Sequence, residues 1–187
     1  IIKKRKLLYY ENLKAFSYAI KKLALTIIGG SNEVFKKFQK YSEQLNSKEQ
    51  WIITSNIPEL NPFFDNTSIV NSTYEKDYHS IEEHIQAYYD LIECWAQEEH
   101  PIVFFLDDLE QADNATLKLI ENIIQSESFG FIMIVASYNE EKIDSINPIS
   151  GTISRLKFSS NFTEIKLEPL QIDDLVLMLI ALITLFV

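Results

Sequence analysis

The stretch Pro101–Asp113, PIVFFLDDLEQAD, constrains the fold more than any other part of the chain. Residues Ile102 to Leu106 are all apolar, and they run straight into Asp107 and Asp108. A short apolar run stopped by charge predicts a fully buried central strand. Carboxylates at the C-terminal end of such a strand sit where open α/β sheets bind their ligands. The dipeptide alone fits two readings: a ligand-binding strand end, or a core strand followed by a solvated turn.

The neighbouring segments extend the pattern. Asp113 is placed to cap a helix over about 114–125 with Leu117, Ile120, Ile123 and Ile124 inward. Phe129–Ser137, FGFIMIVAS, is a second apolar run whose β-branched content predicts another buried strand. Residues 140–150 read as loop and short helix, and a third strand is expected at Thr163–Leu167. Strand, helix and strand alternating in this way predict a parallel sheet with helices on its faces. Upstream the chain reads as helical. Leu13, Phe16, Ile20, Leu23 and Ile27 recur at helical spacing over 11–28, and Gly29-Gly30 stops that helix. A more polar helix follows over about 32–46. Pro58 and Pro62 predict short turns and loop across 51–74. Ser80 and Glu83 form a capping box for a helix to about Gln97.

Composition narrows the class. A chain of 187 residues with 47% hydrophobic and 12% aromatic residues is ample for one core. A net charge of −10 opposes a nucleic-acid-binding surface, which needs a basic footprint. A single cysteine, Cys94, gives no disulfide framework, suits a reducing, cytoplasmic setting and reads as core. His79 and His84 are five apart and diverge around a helix, so with His100 they form no metal set. The start, IIKKRKLLYY, lacks the pattern of a signal peptide, and the chain is expected to be an excerpt of a longer one. Sequons at Asn66, Asn71, Asn114 and Asn161 read as chance in an Asn-rich chain. The last 13 residues, LVLMLIALITLFV, are uncharged but shorter than a membrane span of about 18 residues. They fit the first turns of a buried helix or a truncated membrane segment; the length favours the first, and no membrane association is expected.

One motif is missing. A phosphate-binding loop needs G-x-x-x-x-G-K-[ST], because backbone N–H groups of a Gly-rich turn cradle the phosphates and Lys reaches them. The glycines are Gly29, Gly30, Gly130 and Gly151, and none is followed by Lys and then Ser or Thr.

The block EEHPIVFFLDDLEQADNATLKLIENII, centred on residues 98–120, resembles the Walker B region of AAA-type, STAND-like P-loop ATPase domains of multidomain signalling proteins. His100, Pro101, Phe105–Leu109, Ala112, Asp113, Leu117 and Leu119 match that pattern, while Glu110 and Gln111 stand where Gln and Trp are usual. Weaker matches follow in order at Ile57–Leu60, Ala136–Glu140, Asn147-Pro148 and Ile165–Leu170. The resemblance covers about 11–187. It implies a partial ASCE/AAA-like parallel sheet, with a helical insert at 1–97, an ATPase-core part at 98–170 and the start of a lid helix at 171–187.

Residue by residue, the resemblance implies that Asp107 holds Mg²⁺, directly or through water, beside ATP. It implies that Asp108 polarises the attacking water and that Asn139 stands at the sensor position after the next strand. Arg155, in the loop expected before the last strand, is assigned a surface role. The partners implied are ATP and flanking signalling domains, and the activity implied is a nucleotide-dependent switch. A degenerate, non-catalytic module serving as a protein-interaction scaffold is the alternative. Strand order 5-1-4-3-2 in this family would leave the second apolar strand with an unpaired edge. Residues 163–187 are then expected to be loosely placed or collapsed onto 130–137.

Overall fold

The computed structural model describes residues 13–64, 80–127, 130–144, 146–169 and 171–185. Most of the chain is helical. Caps set the helix starts. Helix α1 (Lys14–Ile28) buries Phe16, Ile20, Ala24 and Ile27. Helix α2 (Asn32–Ser42) begins behind Ser31, whose side chain accepts the Val34 N–H. Helix α3 (Ser47–Asn56) begins with a capping box of Asn46 and Glu49, and a 3₁₀ segment at Pro58–Phe63 follows it. Helix α4 (Ile81–Trp95) begins with the expected box of Ser80 and Glu83. Strand β1 (Ile102–Leu106) leads to helix α5 (Asn114–Gln125), which Asp113 caps, and then to strand β2 (Ile132–Ala136). Helix α6 (Pro148–Leu156) and helix α7 (Ile172–Leu185) complete the described chain.

The two strands pair in parallel, from Ile102 opposite Ile132 to Leu106 opposite Ala136. Helix α5 is the crossover between them, as a parallel pair requires. The architecture is therefore α/β, with many helices and a small parallel sheet. On the inner face Phe16 of α1 meets Phe104 edge-on at 5.0 Å between ring centroids. Helix α4 packs between α3 and α5, and α6 packs on α5. A second aromatic knot joins α2, α4 and the 3₁₀ segment: Trp95 lies 5.3 Å from Phe38 and 5.1 Å from Phe63. The Trp95 indole N–H donates to Ser42 Oγ at 2.9 Å, so its buried polar atom is satisfied. The Tyr88 hydroxyl reaches Ser17 Oγ at 2.6 Å, joining α4 to α1.

Several expectations are corrected. Strand β1 is buried on one face only: Ile102, Phe104 and Leu106 are buried, whereas Val103 and Phe105 are exposed. Among the described residues the helices cover one face of the sheet and leave Val103, Phe105 and Met133 open, so the expected cover on both faces is absent. No third strand forms at Thr163–Leu167, and Ile165 and Leu167 are solvent-exposed. Its alternating Glu164 and Lys166 pair instead with Lys157 and Glu140, so side-chain contacts hold a segment that has no ladder. The helix expected over 32–46 stops at Ser42, because Asn46 accepts the Lys48 and Glu49 N–H groups and starts α3. Helix α3 buries the consecutive Ile52, Ile53 and Thr54, which carry no helical period. Arg155 lies in α6, not in a loop, and pairs with buried Glu121 of α5. His79, Asn66 and Asn71 lie outside the described residues.

From Leu175 onward helix α7 carries no charged residue, and Leu175 to Ile180 are all exposed. Among the described residues no helix is long and apolar enough to cross a membrane.

Candidate functional site

The turn after β1 is folded back by its own carboxylate. Asp107 Oδ1 accepts the Asp108 N–H at 3.1 Å and also the hydroxyl of Ser137, at the end of β2. Two main-chain bonds zip the strand ends together: Ser137 N–H to Leu106 C=O and Leu109 N–H to Ser137 C=O, both 2.9 Å. Asp108 then takes a left-handed conformation at φ 52°, uncommon for any residue but Gly, although Asp and Asn tolerate it best. That twist turns the chain out of the strand and into the 3₁₀ turn Leu109–Gln111.

Asp107 and Asp108 are exposed and line one open cleft of about 710 Å³. Its lining comes from two parts of the chain: α1, with Lys14 and Tyr18, and the turn after β1, with Gln111 and Asp113. Asp113 holds the two parts together. Its Oδ1 accepts the Thr116 N–H at 2.8 Å, and its Oδ2 accepts the Leu13 N–H at 3.1 Å and the Thr116 hydroxyl at 3.0 Å. Among the described residues Leu13 is the other non-Gly residue with positive φ, at 60°. Asp108 lines the cleft, and the buried Leu13 immediately precedes Lys14 of its lining. Strain of this kind concentrates at functional sites.

Asn139 is brought near but not into the cleft. It is exposed and caps the 3₁₀ turn Glu140–Lys142, its Oδ1 accepting the Glu141 N–H at 2.9 Å. Its own N–H is held by Glu110, whose Oε2 accepts it at 3.2 Å. Lys142 donates to the other oxygen of Glu110 at 3.1 Å. Bonds from the backbone N–H of Glu110 itself hold that carboxyl below its usual range; burial opposes them, and Lys142 and the Asn139 N–H add to them. Glu110 and Lys142 escape sequence reasoning, because the loops that carry them are 32 residues apart and neither has a motif. The sole signal was that Glu110 departs from the Walker B pattern.

The donor set fits a hard cation. Asp107 uses Oδ1 within the protein, and its Oδ2 has no partner among the described residues. One or two carboxylates with completing water and phosphate oxygens are what Mg²⁺ takes. Among the described residues no group of three or more His, Cys, Asp or Glu side chains is gathered to hold a metal alone. Cys94 is buried in α4, and burial pushes its thiol well up, which suits core packing and not a nucleophile. Comparison with protein-family models, curated proteins and solved structures finds no match to the chain.

Proposed function

We propose that this chain is part of an ATP-binding, AAA/STAND-like ATPase domain that acts as a nucleotide-dependent switch in a signal-transduction protein. One observation carries the reading: adjacent carboxylates end a strand of a parallel β–α–β unit and line the same cleft. In such units ligands bind at the carboxyl ends of the strands. Asp107 is the residue that holds Mg²⁺ of bound ATP, and Asp108 is the general base toward the attacking water. Asn139 stands beside the cleft and not in its lining, and since its Oδ1 is taken by the Glu141 N–H, the sensor role falls to its uncharged side-chain N–H. A phosphate cradle must come from outside these 187 residues, because none of their glycines supplies it.

A second reading, a non-catalytic ATPase-like scaffold, is favoured by the open apolar face of Val103, Phe105 and Met133. Mg²⁺-dependent ATP binding by the full-length protein separates the two. The Asp107→Ala variant is expected to weaken it by about tenfold or more, since a bound cation contributes several kcal/mol of charge stabilisation. Undiminished binding by that variant removes the role of Asp107. No binding by the wild type, together with no G-x-x-x-x-G-K-[ST] upstream in the parent gene, favours the scaffold.

A further inference from the structure

The carboxylate of Glu110 is almost fully withdrawn from water, with its side chain 3% exposed. A buried carboxylate is costly unless donors meet it. Among the described residues, the donors from other residues come from one place, the loop after β2. The Asn139 N–H reaches Oε2 at 3.2 Å and Lys142 Nζ reaches Oε1 at 3.1 Å. The main chain of the same residue adds a third tie: its carbonyl accepts Asn147 Nδ2 at 3.2 Å, and Asn147 is the cap of α6. Glu110 itself lies in the 3₁₀ turn that begins immediately after Asp108. One side chain therefore spans the turn bearing Asp107 and Asp108 and the loop bearing Asn139.

We propose that Glu110 is a positioning residue, whose carboxylate fixes the Asn139 loop at a set distance from the two aspartates. Lys142 is the counter-charge that lets the carboxylate stay ionised there, and the Asn139 N–H sets the direction. Asn147 carries the same constraint into α6. The effect on turnover rests on the nucleotide-site reading above; the clamp does not.

Hydrogen exchange and ATP turnover test the two parts separately, on the full-length protein. Glu110→Met keeps the length and suits a buried apolar position, so the fold is retained, but it removes the acceptor. Glu110→Gln keeps a carbonyl acceptor for the Asn139 N–H. Exchange at the Asn139 amide is expected to rise about tenfold in the Met variant and to stay within about threefold of wild type in the Gln variant. Amides in α2 report that the fold is intact. Exchange at Asn139 unchanged in the Met variant, or raised equally in both variants, overturns the clamp. With Mg²⁺-ATP, the Met variant is expected to lose about tenfold or more in kcat with KM nearly unchanged, and Gln to restore it, the pattern of lost positioning and not lost binding. If the wild type turns over no ATP, the nucleotide reading fails, and the exchange result alone decides the clamp.

Discussion

Phe104 and Phe105 are neighbours in one strand and live in different solvents. Phe104 is 3% exposed and meets Phe16, while Phe105 is 71% exposed and borders the cleft. The same contrast runs through the sheet. Its inner face is buried, with Phe16 of α1 against Phe104, and its outer face presents Val103, Phe105 and Met133 to water. An apolar stretch on a sheet says that burial is demanded, not on which side it is met. Patches of this kind mark contact sites more often than they mark chance.

Substitutions on the two faces should therefore part widely. Phe104→Ala is expected to cost about 3–5 kcal/mol, because it opens a cavity against Phe16. Thermal or denaturant unfolding measures it, and a loss below about 1 kcal/mol would mean that the inner face is not packed as described. Asp113→Ala removes the cap of α5 and the tie to Leu13 together. About 1–2 kcal/mol is expected, read in the same way.

The link from α5 to α6 gives a smaller, pH-dependent effect. Glu121 is buried and accepts Thr152 Oγ1 at 2.8 Å and Arg155 Nε at 3.0 Å. Burial pushes its carboxyl up, but hydrogen bonds from Arg155 and Thr152 outweigh burial and leave it below its usual range. A carboxyl depressed in the folded state stabilises above its unfolded pKa, and that stabilisation fades as pH falls through the folded value. Because Arg155 is mostly exposed, about 1 kcal/mol or less is at stake. Stability measured from pH 6 down to pH 3 should fall less steeply in Glu121→Gln than in wild type; parallel curves would remove the assignment. Phe105→Ser should have the least effect on folding, within about 0.5 kcal/mol, since its side chain is already in water. A large loss of stability on unfolding would show that the outer face is covered.

The legible parts of the fold were those with local chemistry. Ser80 with Glu83, and Asp113 before its helix, announce their caps in a few residues, and the apolar runs announce β1 and β2. Helix α3 was hidden because Ile52 and Ile53 are buried side by side, without amphipathic spacing. Helix α6 was expected only as a short helix within 140–150; it starts at Pro148, a residue that suits the first turn, and runs on to Leu156. Thr163–Leu167 has the composition of a strand but forms no ladder, and its Glu164 and Lys166 are held by ion pairs instead. At the site, Asp107 and Asp108 stood out as a charged stop to an apolar run. Ser137, Glu110 and Lys142 did not, since each acts only through a partner some 30 residues away.

The hydrogen bond from Leu13 N–H to Asp113 joins residues 100 apart in the chain. The Phe16–Phe104 contact closes nearly as large a loop. Contacts of such long range are slow to form, because loop-closure entropy is lost before they repay it. The two parts of the cleft lining are thus assembled late. On a ribosome, α1 emerges early yet has no sheet to dock on until β1 and the start of α5 have followed. The cleft is a product of completed folding, and a chain stopped short of Ile102 would carry Lys14 and Tyr18 with nothing facing them.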